Sequence, residues 1–227
     1  MGDGDGPGGT RHVGGAGTVR VVLTGATGRA GSRILRELLA RGHQIIAVVR
    51  DRGMFQPESG VAVALSNLSD SNQIAEIMRG ADAVISAYGP PPDNTDELIE
   101  VTKRLIDAVA GSGMNRFLMV GGAGSLEVAP GVSLSDSGKL PPEWMGIAKS
   151  HEEALDVLRS CAIDWTCLSP AGFFEPGERT GKFRLGTDNL IVDGQGQSRI
   201  SMEDYAIALV DELERPQHRR QRFSVGY

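Results

Sequence analysis

The run Val19-Arg20-Val21-Val22-Leu23-Thr24 passes directly into Gly25-Ala26-Thr27-Gly28-Arg29-Ala30-Gly31, and no other stretch limits the fold as strongly. A β-branched apolar run predicts a buried strand, the glycines a tight turn, and the residues after them a helix. Gly25 lets the backbone turn, Gly28 lets it come close to a diphosphate, and Gly31 lets helix and strand pack tightly. Unpaired amides at the positive end of that helix would receive the diphosphate. The spacing is GxxGxxG, weak as a bare triplet, but its context strengthens it. Ile34, Leu35, Leu38 and Leu39 recur at helical spacing, Gly42 stops the helix, and Ile45-Ile46-Ala47-Val48-Val49 follows at the distance of a strand-helix-strand unit. Gly25, Thr27, Gly28, Arg29 and Ala30 are therefore candidate cofactor-binding residues.

Further apolar runs alternate with helical patterns along the chain. Strands are expected at Val61 to Leu65, Ala83 to Ala87, Phe117 to Val120, Asp164 to Leu168 and Phe223 to Val225. The alternation predicts an α/β fold, a doubly wound parallel sheet of the Rossmann type. The first seventeen residues are glycine-rich and nearly free of apolar side chains, so residues 1–17 are expected to form a flexible tail. Residues 18–227 then make one domain, with a small C-terminal annex from about residue 172 onward that closes over the site. Residues 126–142 carry enough glycine and proline to form a lid or substrate loop.

Ligands of such sheets lie outside the carboxyl ends of the strands, which singles out the strand exits. Arg50 stands first after the second strand, where a planar guanidinium suits a 2'-phosphate. Arg29 or Arg33 would add charge, and Asp51 remains able to take a ribose hydroxyl. NADP(H) is therefore favoured over NAD(H). Asn67 and Leu68 lie where adenine is expected; Ala87, Tyr88 and Gly89 are placed to touch the dinucleotide backbone. Gly121 and Gly122 open a run of small residues that gives a flat ring room, and Ser125 ends that run as a candidate donor to a carboxamide or substrate oxygen. Pro170, Gly172 and Phe173 leave the sixth strand in the same region.

The net charge of −6 supplies no basic field for nucleic acid, and no window of eighteen apolar residues would span a membrane. The expected partner is a small molecule, with a homo-oligomer left open. Cys161 and Cys167 lack metal-ligand spacing, so reduced thiols in a cytoplasmic protein are expected rather than a disulfide or metal site.

Several segments together resemble the atypical short-chain dehydrogenase/reductases. These are Thr24 to Gly28 with Gly31, Gly80 to Ile85, Ala148-Lys149 with Glu153 and Leu155, Asp164-Trp165-Thr166, Ser169-Pro170, Ser201 to Tyr205 and Arg222 to Tyr227. Within that superfamily the chain is similar to NADH-flavin reductase-like and, more distantly, biliverdin reductase B-like proteins. The resemblance implies a role for Lys149 at the nicotinamide ribose. It also exposes a departure: Met145 occupies the tyrosine place of the Tyr-x-x-x-Lys pattern, and a thioether has no proton to give. His151 is the candidate substitute acid, by resemblance and by its imidazole. It lies about 200° around a helix from Lys149, so both reach one cleft only if the helix starts between them or the loop folds back. The implied activity is hydride transfer to a flavin-like or other conjugated molecule. A dinucleotide-sensing protein without turnover and a non-redox epimerase or lyase are the alternatives.

Overall fold

A computed structural model describes residues 17–227, so the expected tail lies outside the described residues apart from Gly17. The elements are β1 (Arg20–Thr24), α1 (Arg29–Ala40), β2 (Gln44–Val49), β3 (Val61–Leu65), α2 (Ser71–Met78), β4 (Ala83–Ser86), α3 (Glu97–Ser112), β5 (Arg116–Val120), β6 (Glu127–Ala129), β7 (Val132–Ser133), α4 (Pro142–Ser160), β8 (Asp164–Pro170), β9 (Phe173–Glu175), β10 (Arg184–Gly186), β11 (Arg199–Ser201), α5 (Met202–Glu214) and β12 (Gln221–Gly226). The main sheet runs β10-β12-β8-β5-β4-β1-β2-β3 and is parallel except for β10. Chain order reverses at β1, which lies between β2 and β4. That switch point makes the crevice the sequence anticipates.

Both faces of the sheet are covered, which is why its central strands read as continuous apolar runs. Successive side chains alternate faces. Val21 and Leu23 join Ile34, Leu38, Tyr205 and Leu209 beneath α1 and α5. Val22 turns the other way, to a core with Ile74, Leu105, Phe117, Leu155 and Trp165 beneath α2, α3 and α4.

The C-terminal part departs from the expected annex. β12 pairs with β8 inside the main sheet, β10 adds its antiparallel edge, and α5 packs on α1. The apolar positions of α5 and Phe223 are buried in the same core as Val21 and Leu23 of β1. What stands outside the main sheet is the pairing of β9 with β11 on either side of β10, in the excursion between β8 and α5. Polar anchors hold it down: Arg179 forms a fork on the Glu37 carboxylate at 2.9 Å, and Asp204 accepts from Thr180 Oγ1 at 2.5 Å, Gly181 N–H at 2.8 Å and the Tyr227 hydroxyl at 2.8 Å. The loop at 126–142 is likewise tied. Its β6-β7 hairpin exchanges backbone hydrogen bonds of 2.8 and 2.9 Å with Asp188 and Leu190, and Leu126 and Leu134 are buried.

Candidate functional site

The exits of β1, β2, β3, β4, β5 and β8 share one rim of the sheet, and most of the expected site residues lie there. Gly25 has a φ of +74°, and a Cβ on it would stand 2.2 Å from the Ala87 carbonyl oxygen. A Cβ on Gly31 would stand 2.0 Å from the Gly25 oxygen. Only glycine lets β1, the β4 exit and α1 close together this tightly. Gly28 N–H donates to Gly25 O at 2.9 Å, and Gly28 starts α1 with no side-chain cap. The first amides of α1 thus keep their donors for a ligand, as a diphosphate cradle requires. The turn fits a nicotinamide dinucleotide. Thr27, Gly28 and Arg29 are exposed on it, and Ala30 is half-buried.

A Cβ on Gly28 would meet Gly25 O at 3.2 Å and otherwise enter open space above the turn. Gly28→Ala is therefore expected to leave thermal stability nearly unchanged while weakening dinucleotide binding about tenfold, roughly the loss of one charge-assisted hydrogen bond. A melting curve with a fluorescence titration checks both.

The arginines of the first turn lie differently from expectation. Arg29 pairs with Glu175 of β9, and Arg33 with Glu203 of α5 at 2.9 Å. They reach toward β9 and α5, not the β2 exit, because α1 packs on α5. Arg50 does stand exposed at the β2 exit. Asp51 caps the next turn by accepting the Gly53 N–H at 2.8 Å. Asn67 accepts from the Ser69 amide and hydroxyl, whereas Leu68 is buried in a left-handed conformation with φ +62°. Tyr88 is half-buried; burial and then Glu97 push its phenol up to about 12.

At the β5 exit Gly121 packs on Cys167 and Leu168, Gly122 on His151, and Gly124 on Ser135 and Ala148. Ser125 is drawn elsewhere: its Oγ accepts from buried Arg222 at 3.2 Å, and Arg222 is paired with Asp188. Those partners come from β12 and the segment after β10, which sequence spacing does not reveal. Pro170 is buried; Gly172 and Phe173 are exposed, Phe173 to 69%. Phe173 and Glu175 also line an open groove of about 640 Å3 with Lys182, Arg199 and Tyr227. Through Glu175 it adjoins Arg29 at the glycine turn.

The candidate proton donors are divided. α4 runs unbroken from Pro142 through Ser160, so Lys149 and His151 point in different directions. Lys149 is exposed and forms no ion pair among the described residues, with Met145 one turn before it also exposed. His151 lies against the position a Gly122 Cβ would fill, its Nδ1 sealed from solvent without a hydrogen-bond partner among the described residues. Burial alone pulls its imidazole down to about 4. It is neutral at pH 7 in this state, and so carries no imidazolium proton to deliver.

This burial makes stability depend on pH. Above about 6.5 the ring is neutral both folded and unfolded. Between pH 6.5 and 4 the unfolded chain takes up a proton that the folded chain refuses, so stability falls as pH is lowered through this window. His151→Leu is expected to flatten that part of a stability-against-pH curve measured by urea unfolding; an unchanged slope would assign it to other groups.

Comparison with known proteins decides the cofactor class. The sequence pattern of the NAD(P)H-binding family extends over residues 25–216. The chain belongs to this NAD(P)H-binding family. Among solved structures, this family member is similar to a candidate epimerase from Bacteroides thetaiotaomicron, with 46% identity, a TM-score of 0.87, and coverage of 92% of this chain and 97% of that one. A candidate exported protein from Burkholderia pseudomallei shares 43% identity at a TM-score of 0.86, over 92% and 100% of the two chains. A candidate NADH-flavin reductase from Streptococcus pneumoniae shares 34% at 0.83, over 92% and 99%. The NAD(P)H-binding chain thus has a nicotinamide dinucleotide as its cofactor. No helix among its described residues is long and apolar enough to cross a membrane.

Proposed function

We propose that this chain is a reductase of the atypical short-chain dehydrogenase/reductase type that passes hydride from NADPH to a flavin-like or other conjugated small molecule. The observation that carries the reading is the pairing of an intact diphosphate cradle with a site lacking the usual acid. Gly25, Gly28 and Gly31 bring the α1 amides to the diphosphate, and the β5 exit, where Gly121, Gly122 and Gly124 let neighbouring side chains pack close, lies on the same rim. A bound reduced dinucleotide supplies the hydride. Met145 holds no transferable proton, and His151 is neutral with its Nδ1 sealed from solvent. Such a site suits an acceptor that delocalises the incoming charge and takes its proton from water. The groove beside Phe173 is the proposed acceptor site, with the exposed phenyl ring as a stacking surface. The Streptococcus relative, a candidate NADH-flavin reductase, supports the acceptor class.

Preference for NADP(H) rests on Arg50 at the β2 exit and on Asp51, whose carboxylate is already engaged by the Gly53 amide. A cytoplasmic setting, with a small-molecule partner rather than nucleic acid or a membrane, is part of this proposal. The unpaired thiols of Cys161 and Cys167 suit a reducing compartment.

The likeness to a candidate epimerase supports a second reading, and one assay separates them. Incubation with NADPH and either FMN or a quinone is expected to consume the dinucleotide, followed by its absorbance. An epimerase recycles its cofactor and a sensor does not turn it over. Absence of consumption across flavins and quinones, with the dinucleotide bound, would overturn the reductase reading.

A further inference from the structure

Among the described residues Arg29, Arg33, Arg41, Arg116, Arg179 and Arg222 all have carboxylate partners. At the adenosine end of the rim Arg50, Arg52 and Arg104 form no ion pair among the described residues. Arg50 leaves β2 level with Ser66 after β3, because Val49 and Leu65 are in register and the Ser66 amide donates to Val49 O at 3.0 Å. Two residues on, the Leu68 amide donates to Ser66 Oγ at 3.0 Å, which holds Leu68 in its left-handed conformation. Leu68 O accepts from Arg104 Nη1 of α3 at 3.5 Å. Arg104 is half-buried on that single long contact, with no ion-pair partner among the described residues. Of the nearby carboxylates of α3, Glu97 lies at Tyr88, and Glu100 pairs with Lys103 at 2.8 Å while also lying in the field of Arg104.

We propose that Arg104 is a second specificity-determining residue for the dinucleotide, gripping the 2'-phosphate of NADP(H) together with Arg50. This rests on the NADP(H) reading above and extends it to a residue on another element. Tyr88, at the β4 exit, lies in the field of Glu97 and, more weakly, of both Arg50 and Arg104, so the two guanidinium groups and one carboxylate surround that exit. Arg104, half-buried and without an ion-pair partner among the described residues, suits an anionic ligand, and a guanidinium fork matches phosphate oxygens in a way a lysine ammonium does not. The Leu68 turn positions Arg104 by taking one of its donors and leaving the rest of the fork for the ligand. Left-handed backbone at a non-glycine residue is the kind of local strain that gathers at ligand clamps.

The test is a set of dissociation constants for NADPH and NADH, with 2'-AMP and 5'-AMP as competitors, for the unmodified chain, Arg50→Ala, Arg104→Ala and Arg104→Lys. Arg104→Ala is expected to weaken NADPH binding about tenfold or more, the loss of one charge-assisted contact, while changing NADH less than about twofold. It should also erase the advantage of 2'-AMP over 5'-AMP. Arg104→Lys should recover part of the NADPH affinity as a point charge, and a melting curve confirms that each variant is folded. Equal losses for both dinucleotides, or no loss for either, overturn the role of Arg104. If the unmodified chain itself shows no preference for NADPH, the NADP(H) reading falls and this inference with it. If it shows one that Arg50→Ala removes and Arg104→Ala does not, the Arg104 assignment alone fails.

Discussion

Gly31→Ala is expected to weaken dinucleotide binding sharply and to destabilise the chain. The new methyl group would stand 2.0 Å from Gly25 O and 2.7 Å from Gly25 C, both backbone atoms of the turn. No side-chain rotation relieves that overlap, so α1 must move away from β1. Ile34 and Leu38, fully buried beneath α1, would lose packing as it does so. Overpacking of this kind costs about 1–3 kcal/mol, and backbone on both sides places Gly31 toward the upper end. The consequence for ligand is larger. A shift of α1 carries its first amides off the diphosphate, and losing two charge-assisted hydrogen bonds weakens binding about a hundredfold or more. Thermal unfolding and a fluorescence titration report the two effects separately. Binding retained within a few-fold of the unmodified chain would show that the diphosphate does not rest on these amides. Gly28→Ala, which touches ligand space and leaves the packing intact, is the matched control.

The second large effect lies at the opposite end of the sheet. Glu212 of α5 accepts from Arg116 Nη2 at 3.0 Å, from the amides of Gln217 and His218 at 3.0 and 2.9 Å, and faces His218 Nδ1 at 2.8 Å. Arg116 also donates to Thr166 Oγ1 at 2.8 Å and pairs with Asp164 at 3.3 Å, while Arg219 pairs with the other Asp164 oxygen. The His218 ring stacks on Phe223 at 4.0 Å between centroids. These contacts join α5, the loop after it, β5, β8 and β12, so they fix how the C-terminal strand enters the sheet. Burial lowers the Arg116 pKa, and its two carboxylate neighbours oppose that shift. Glu212→Ala leaves the buried guanidinium with a partner missing and strips two amides of their acceptor. The expected loss is about 3–5 kcal/mol, the range for breaking a buried pair on one side. That corresponds to a fall of roughly 6–20 °C in melting temperature for a domain of this size. Because the cluster lies at the end away from the glycine turn, dinucleotide affinity of the folded variant should stay close to that of the unmodified chain. A change of less than about 1 kcal/mol in urea unfolding would show that the network is solvated and contributes little.

The sheet and its first half were legible because parallel strands buried on both faces leave uninterrupted apolar runs. Val61–Leu65 has the same bounds in sequence and structure, and β1, β2, β4 and β5 differ by a residue or two at their ends. The glycine turn was legible for a different reason: positive φ and backbone contact within 2–3 Å leave glycine no substitute, so chemistry shows in the residue type itself. The C-terminal half was harder. Phe223 and the apolar face of α5 announce burial but not their partners, and pairing of β12 with β8 spans more than fifty residues. Side-chain direction was harder still. Ser125, Arg29 and Arg33 belong to the expected segments, yet Arg222, Glu175 and Glu203 from distant elements turn them. Arg104 carries no signal in sequence, since an arginine among the polar positions of a helix looks like any surface residue. Only the carbonyl of Leu68 beside it marks the place.

Titration calorimetry of the unmodified chain with NADPH and with NADH tests the central placement most directly, since diphosphate, nicotinamide and adenosine must all find their places on one rim. One-to-one saturable binding of both is expected, tighter for NADPH, and sharply weakened in Gly31→Ala. Absence of binding heat for either dinucleotide at several temperatures, with the chain folded throughout, would contradict it.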